Sequence, residues 1–287
     1  MHVRSPRVRV AAVLLLSASL ALAGSARIAG QQAAQKPTGF RDRPSSDLAI
    51  RPFRDADVES LLKTLDAVLA APPNAKMPGL APDLQLWKFT RWLQSATLTP
   101  AQEAHIVAHL QATAEANPQL APFLERTVKA VQALTLGKVA PEIEGNDPDG
   151  IGFRLSDYRG RIVVLTFGGE WCGICRAEYP YERFLNDLYK DRPFAILNVN
   201  SDGDVKAARR GATDRPFISR AWWDGYGEVS TAGPIATSYA IYGWPTTYLL
   251  DEDGVIRYVD LRQEDLLKGV RQLMSELTRK TLSTKEP

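Results

Sequence analysis

Residues 161–167, RIVVLTF, run through GGEW into the only two cysteines of the chain, Cys172 and Cys175. An unbroken apolar run rich in β-branched residues reads as a strand covered on both faces. Residues 172–190 read as a helix, so the chain passes from a buried strand into a helix that begins at a cysteine. A strand of that kind needs neighbours on both edges and a layer on each face, which an α/β sheet supplies.

The segments that follow give those neighbours. FAILNVN (194–200) reads as a second strand, 202–211 as a helix and FISRAWW (217–223) as a strand. A short helix is expected at 234–239. TTYLLD and VIRYVD read as two strands joined by the turn DEDG, and 263–280 as a closing amphipathic helix. This order predicts an α/β fold, a mixed central sheet flanked by helices.

A small all-α region precedes it. Asp55 or Asp57 is placed to cap a helix through VESLLKTLDAVLA that stops at Pro72-Pro73, and LQLWKFTRWLQSA has apolar residues at helical spacing. Thr99, Pro100 and Gln102 form a capping-box signature for a helix to about Ala116, ended by Asn117-Pro118. A last helix is expected over 121–136, ended by Gly137. The expected domains are therefore a helical one at 48–136, an α/β one at 137–280 and a disordered tail at 281–287. The aromatics of the helical region read as core, and no chemistry is evident there. His105 and His109 lie one helical turn apart, but Ile106 stands where a metalloprotease helix needs Glu. They read as residues of a solvated helix face.

The first residues read differently. Arg4, Arg7 and Arg9 precede an apolar run at 10–22, and Ala21 and Ala23 fit a cleavage site. This is the pattern of a secretory signal peptide at 1–23, with a flexible tether at 24–47; the alternative is an uncleaved N-terminal anchor. Net charge is +2 and no basic stripe carries interleaved aromatics, so nothing points to nucleic acid. Outside the cytoplasm disulfides persist. A bridge between residues three apart closes too small a loop to staple a large fold, and a zinc site lacks its remaining ligands. A redox pair is the leading reading. At a helix start Cys172 is expected to be the exposed, acidic thiol, with Cys175 one turn further in.

Far along the chain comes YGWPTTYLL, where Pro245 opens a strand. WCGIC at 171–175, then Glu178 and Pro180, then Trp244-Pro245-Thr246 together resemble the thioredoxin-like superfamily, and within it the exported TlpA/ResA-type thiol–disulfide oxidoreductases. The resemblance covers residues 137 to 280 and leaves the helical region uncovered. It implies that Cys172 attacks, Cys175 resolves, and Pro245 is a cis-proline lying against the cysteines. Trp171, Trp244 and Thr246 would line a substrate groove. Glu178 would exchange a proton with the buried thiol; the plainer alternative is a surface carboxylate. Pro180 is expected to kink the active-site helix. The resemblance further implies disulfide-containing exported proteins as substrates, a membrane thiol carrier as electron donor, a monomer, and no cofactor or metal.

Two departures stand out. Thr166 occupies the position where cytoplasmic thioredoxins carry a buried acid, and Gly173-Ile174 separates the cysteines in place of Gly-Pro. Glu170 reads as a surface charge and nothing more. A peroxiredoxin-like peroxidase is one alternative, but Gly169 and Leu165 stand where its Thr and Pro belong. A non-catalytic binding module is the other.

Overall fold

The structure, a computed structural model, describes residues 52–70, 82–225 and 233–283. The expected signal peptide, tether and Pro72-Pro73 stop lie outside the described residues. Four helices lead the described chain: α1 (Asp55–Ala70), α2 (Pro82–Gln94), α3 (Pro100–Ala116) and α4 (Ala121–Ala133). The Thr99 hydroxyl accepts the Gln102 N–H, and the Gln102 side chain accepts the Thr99 N–H, so the capping box at α3 closes as read. His105 and His109 on α3 lie against Glu59 and Asp66 of α1.

A hairpin of β1 (Glu144–Asn146) and β2 (Gly152–Arg154) follows. Then come β3 (Ile162–Gly168), α5 (Gly173–Arg176), α6 (Tyr179–Tyr189), β4 (Phe194–Asn200), α7 (Val205–Asp214) and β5 (Arg220–Trp223). The chain closes with α8 (Pro234–Ser238), β6 (Thr246–Leu250), β7 (Ile256–Val259) and α9 (Gln263–Ser283). The main sheet has the order β5-β4-β3-β6-β7, with β3, β4 and β5 parallel and β6 and β7 antiparallel to their neighbours. This is the mixed sheet flanked by helices of the thioredoxin-like fold, preceded by a helical region.

Every residue of β3 and β4 is buried, which explains why neither alternates in sequence. Val163, Leu165 and Phe167 point into one core with Trp222, Tyr239 and Tyr248. Ile162 and Val164 point into the other, where Leu185 of α6 and Leu266, Val270 and Leu273 of α9 cover the sheet. A third core joins α1 to α4 through Leu62, Leu65, Leu93, Ile106, Leu110 and Leu124. α4 serves two cores: Val128 and Val131 face the helices, while Ala130 and the following Leu134 and Leu136 pack with the sheet.

Four expectations are corrected. The helix expected over 172–190 is two helices, α5 and α6, interrupted at Ala177 and Glu178. Pro180 does not kink a continuous helix. It lies in the first turn of α6, where its missing N–H has no carbonyl to meet. The helix expected from 202 begins at Val205, because Asp204 caps it by accepting the Lys206 and Ala207 N–H groups. α9 continues to Ser283, so 281–283 are helical and the tail expected at 281–287 does not begin there; 284–287 lie outside the described residues.

Candidate active site

The site grows from the end of β3. The Gly168 carbonyl accepts the Ser201 N–H at 2.9 Å, which ties the strand end to the loop after β4. The GGEW turn is then held from the same side. Buried Asp202 accepts the Glu170 N–H at 2.8 Å, and the Trp171 indole donates to the Ser201 carbonyl. Glu170 is no idle surface charge. Its carboxylate pairs with Arg215, itself 5% exposed, at 2.5 Å, and the Arg176 guanidinium donates to its carbonyl. Burial raises the Glu170 carboxyl above its usual range, and Arg215 opposes that rise.

This turn delivers Cys172 to the N-cap of α5 and Cys175 into its single turn. The two form a disulfide with Cα atoms 5.2 Å apart. The Cys175 N–H points at Cys172 Sγ, 3.1 Å away. With only four residues in α5, this one N–H, rather than the dipole of a long helix, is the visible source of stabilisation for charge on Cys172. The expected contrast in exposure is absent: Cys172 and Cys175 are each 6% exposed in the oxidised pair. Trp171 and Ile174 are the exposed apolar residues around them.

The second wall comes from the loop before β6. The Trp244–Pro245 peptide is cis, as the resemblance implies. Phe167 is paired with Thr246 across β3 and β6, so Pro245 follows that register to the level of Gly168. A Cβ on Gly168 would meet Cys175 Sγ at 3.2 Å, which puts the disulfide at the same level. The Trp171 and Trp244 rings pack edge to face, with centroids 6.1 Å apart. Thr246 departs from its expected place. Its side chain is buried and its hydroxyl donates to the Gly243 carbonyl, so it faces the fold and not a groove.

Glu178 is buried beneath the site rather than on its surface, and its Oε2 accepts the Gln263 N–H at 2.8 Å. One turn on lies a carboxylate that the sequence reading missed. Glu182 is 4% exposed and one of its oxygens has no hydrogen-bond partner. Burial pushes its carboxyl up to about 7; Arg215 resists, Glu178 adds to the rise, and Arg262 resists more weakly. Thr166 fills the position of the missing buried acid by accepting the Asn198 amide at 3.0 Å and donating to the Leu197 carbonyl. Among the described residues no group of three or more His, Cys, Asp or Glu side chains is arranged to hold a metal ion.

A CxxC disulfide at the end of the central strand of such a sheet, walled by a cis-proline loop, defines a thioredoxin-like thiol–disulfide oxidoreductase. Comparison with known proteins gives the family. The AhpC/TSA family pattern matches residues 136–259. Thiol-disulfide oxidoreductase ResA of Geobacillus kaustophilus is 34% identical over 160 residues, spanning 53% of this chain and 82% of that protein. Thioredoxin-like protein YneN of Bacillus subtilis is 32% identical over 126 residues, 42% of this chain and 68% of its own. Among solved structures, the thioredoxin domain of a thiol-disulfide oxidoreductase from Bacteroides vulgatus is 28% identical, covering 50% of this chain and 99% of that one with a TM-score of 0.44. The chain belongs to the ResA thiol–disulfide oxidoreductase family.

Proposed function

We propose that this oxidoreductase works in the reducing direction on exported proteins. The Cys172 thiolate attacks one sulfur of a substrate disulfide, and the other substrate sulfur leaves as a thiolate. Cys175, deprotonated, then attacks Cys172 Sγ. The second substrate sulfur leaves, and the Cys172–Cys175 disulfide remains. Two electrons have passed to the substrate, and a thiol donor outside the cytoplasm must restore the dithiol. Glu178 takes the proton of Cys175, and the surface formed by Trp171, Trp244 and Pro245 receives the substrate chain. Export rests on the signal-like pattern at 1–23; no helix among the described residues is long and apolar enough to cross a membrane.

The observation that carries this reading is the disulfide itself, set between Trp171 and the cis Trp244–Pro245 loop. Insulin reduction with dithiothreitol as donor tests it. Catalysed turnover is expected, and Cys175→Ala is expected to accumulate mixed disulfides through Cys172. Peroxide consumption in place of turnover would make the chain a peroxidase, and neither activity would leave a binding module. Preferential alkylation of Cys175 by limiting iodoacetamide would reverse the two roles.

A further inference from the structure

The helical region ahead of the sheet reaches the substrate loop through a chain of charged groups that begins at a buried arginine. Arg91 of α2 is 8% exposed and donates from Nε to Asp260 Oδ2 at 2.6 Å, across 169 residues of sequence. On its other side Asp260 Oδ1 accepts Arg262 Nη2 at 2.8 Å and the Thr247 N–H at 3.2 Å. The Asp260 N–H returns to the Thr247 carbonyl at 2.7 Å. Arg262 then ends the chain on the site: Nη2 donates to the Pro245 carbonyl and Nη1 to the Thr247 hydroxyl, both at 2.5 Å. Asp260 itself has a φ of 59°, in the left-handed region that a residue with a side chain seldom takes. Aspartate tolerates this region better than most residues, and its hydrogen bonds hold it there.

Neighbouring contacts converge on the same loop. Arg91 also donates to Gln94, whose amide donates to the Tyr248 hydroxyl. Arg126 of α4 donates to the Ile241 carbonyl at 3.0 Å. Partly exposed ion pairs contribute little net stability, and here they bear instead on geometry. Here the geometry fixed is that of the backbone at 245–247.

We propose that Arg91 is a positioning residue for substrate capture: acting through Asp260 and Arg262, it holds the Pro245 carbonyl and the Thr247 backbone in place beside the Cys172–Cys175 pair. Arg91 touches neither substrate nor sulfur. Its effect falls on the step in which an extended polypeptide lies along the loop, so a small disulfide that needs no such contact is insensitive to it. The inference rests on the reading of the Trp244–Pro245 loop as the substrate groove.

The test compares wild type with Arg91→Lys, which keeps the charge but loses the fork, and Asp260→Asn, which tolerates the left-handed backbone but loses the charge. Insulin and the small aromatic disulfide 5,5′-dithiobis(2-nitrobenzoic acid) serve as substrates. Amide exchange is followed over 241–250 and, as a control, over 162–168. For each variant we expect KM for insulin to rise roughly tenfold with kcat nearly kept. The small disulfide should react within about twofold of wild type, and exchange should accelerate over 241–250 alone. Wild-type KM for insulin in both folded variants, or equal losses on both substrates, would overturn the role of Arg91 while leaving the groove intact. A wild-type protein that reduces the small disulfide but never insulin would remove the groove and this inference with it. If one variant does not fold, the other decides; if neither folds, the relay is structural and the proposal is wrong.

Discussion

Glu178 and Glu182 sit one helical turn apart under the disulfide, and their surroundings assign them different work. Glu178 is tied to the Gln263 N–H, whereas one oxygen of Glu182 has no partner. The Glu182 carboxyl is raised to about 7 in the fold, chiefly by burial, while in the unfolded chain it titrates near ~4.3. Between those values the folded protein holds a proton that the unfolded chain has lost. Stability from this group is therefore present at low pH, falls as pH rises towards 7, and is flat above. Glu182→Gln should abolish that part of the slope and be more stable than wild type at pH 8 by roughly 1–3 kcal/mol. Urea midpoints measured from pH 5 to 8 on both proteins check this, and parallel curves would place the proton elsewhere. Glu178→Gln should flatten the pH dependence of thiol–disulfide exchange, since an amide accepts no proton from Cys175. A pH–rate profile like that of wild type would reduce Glu178 to a brace for α9.

At the scale of elements, the end of β3 lies close against the disulfide. A Cβ at Gly168 would lie 3.2 Å from Cys175 Sγ and 3.6 Å from Cys175 Cβ. Separate thiols can draw apart to admit it more readily than bridged sulfurs. Gly168→Ala should therefore penalise the disulfide by about 1 kcal/mol more than the dithiol, making the pair more oxidising by roughly 20 mV. Equilibration with glutathione buffers measures this; an unchanged potential would mean that Cys175 yields equally in both states. Elements built on local chemistry were legible in the sequence: the capping box at Thr99, the fully apolar β3 and β4, and the DEDG turn all sit where their residues put them. Pro180 was legible as an interruption, though it starts α6 instead of bending one helix. What was not legible depends on partners far apart in the chain. Glu170 looks like surface until Arg215 is folded against it, and Asp260 looks like a strand end until Arg91 arrives from 169 residues away. Glu182 carries no local mark of its burial, because the helix face it occupies is defined only by what α6 packs against.

For the molecule as a whole, the helical region and the sheet share more than the relay through Arg91. The Tyr242 hydroxyl donates to the Phe123 carbonyl at 3.2 Å, and Arg126 stacks over the Tyr242 ring at 4.5 Å. A chain beginning at residue 137 would strip these groups and leave Tyr248 without its Gln94 donor. It should melt roughly 10 °C or more below a chain that retains the helices, read by circular dichroism. Equal melting would show the contacts to be incidental. The joint itself sits on two successive residues. The Leu136 N–H reaches back to the Ala96 carbonyl and the Gly137 N–H reaches forward to the Ile256 carbonyl, at 3.2 and 2.8 Å. Leu136 also packs into the sheet-side core, so the joint is tied from both sides. In hydrodynamic terms the cysteines and the four leading helices are expected to share one tumbling time. Nuclear spin relaxation should return the same rotational correlation time for amides of α3 and of β4. A redox pair tied in this way turns over in solution at the pace of the larger body, and different correlation times for the two parts would show the joint to be a hinge.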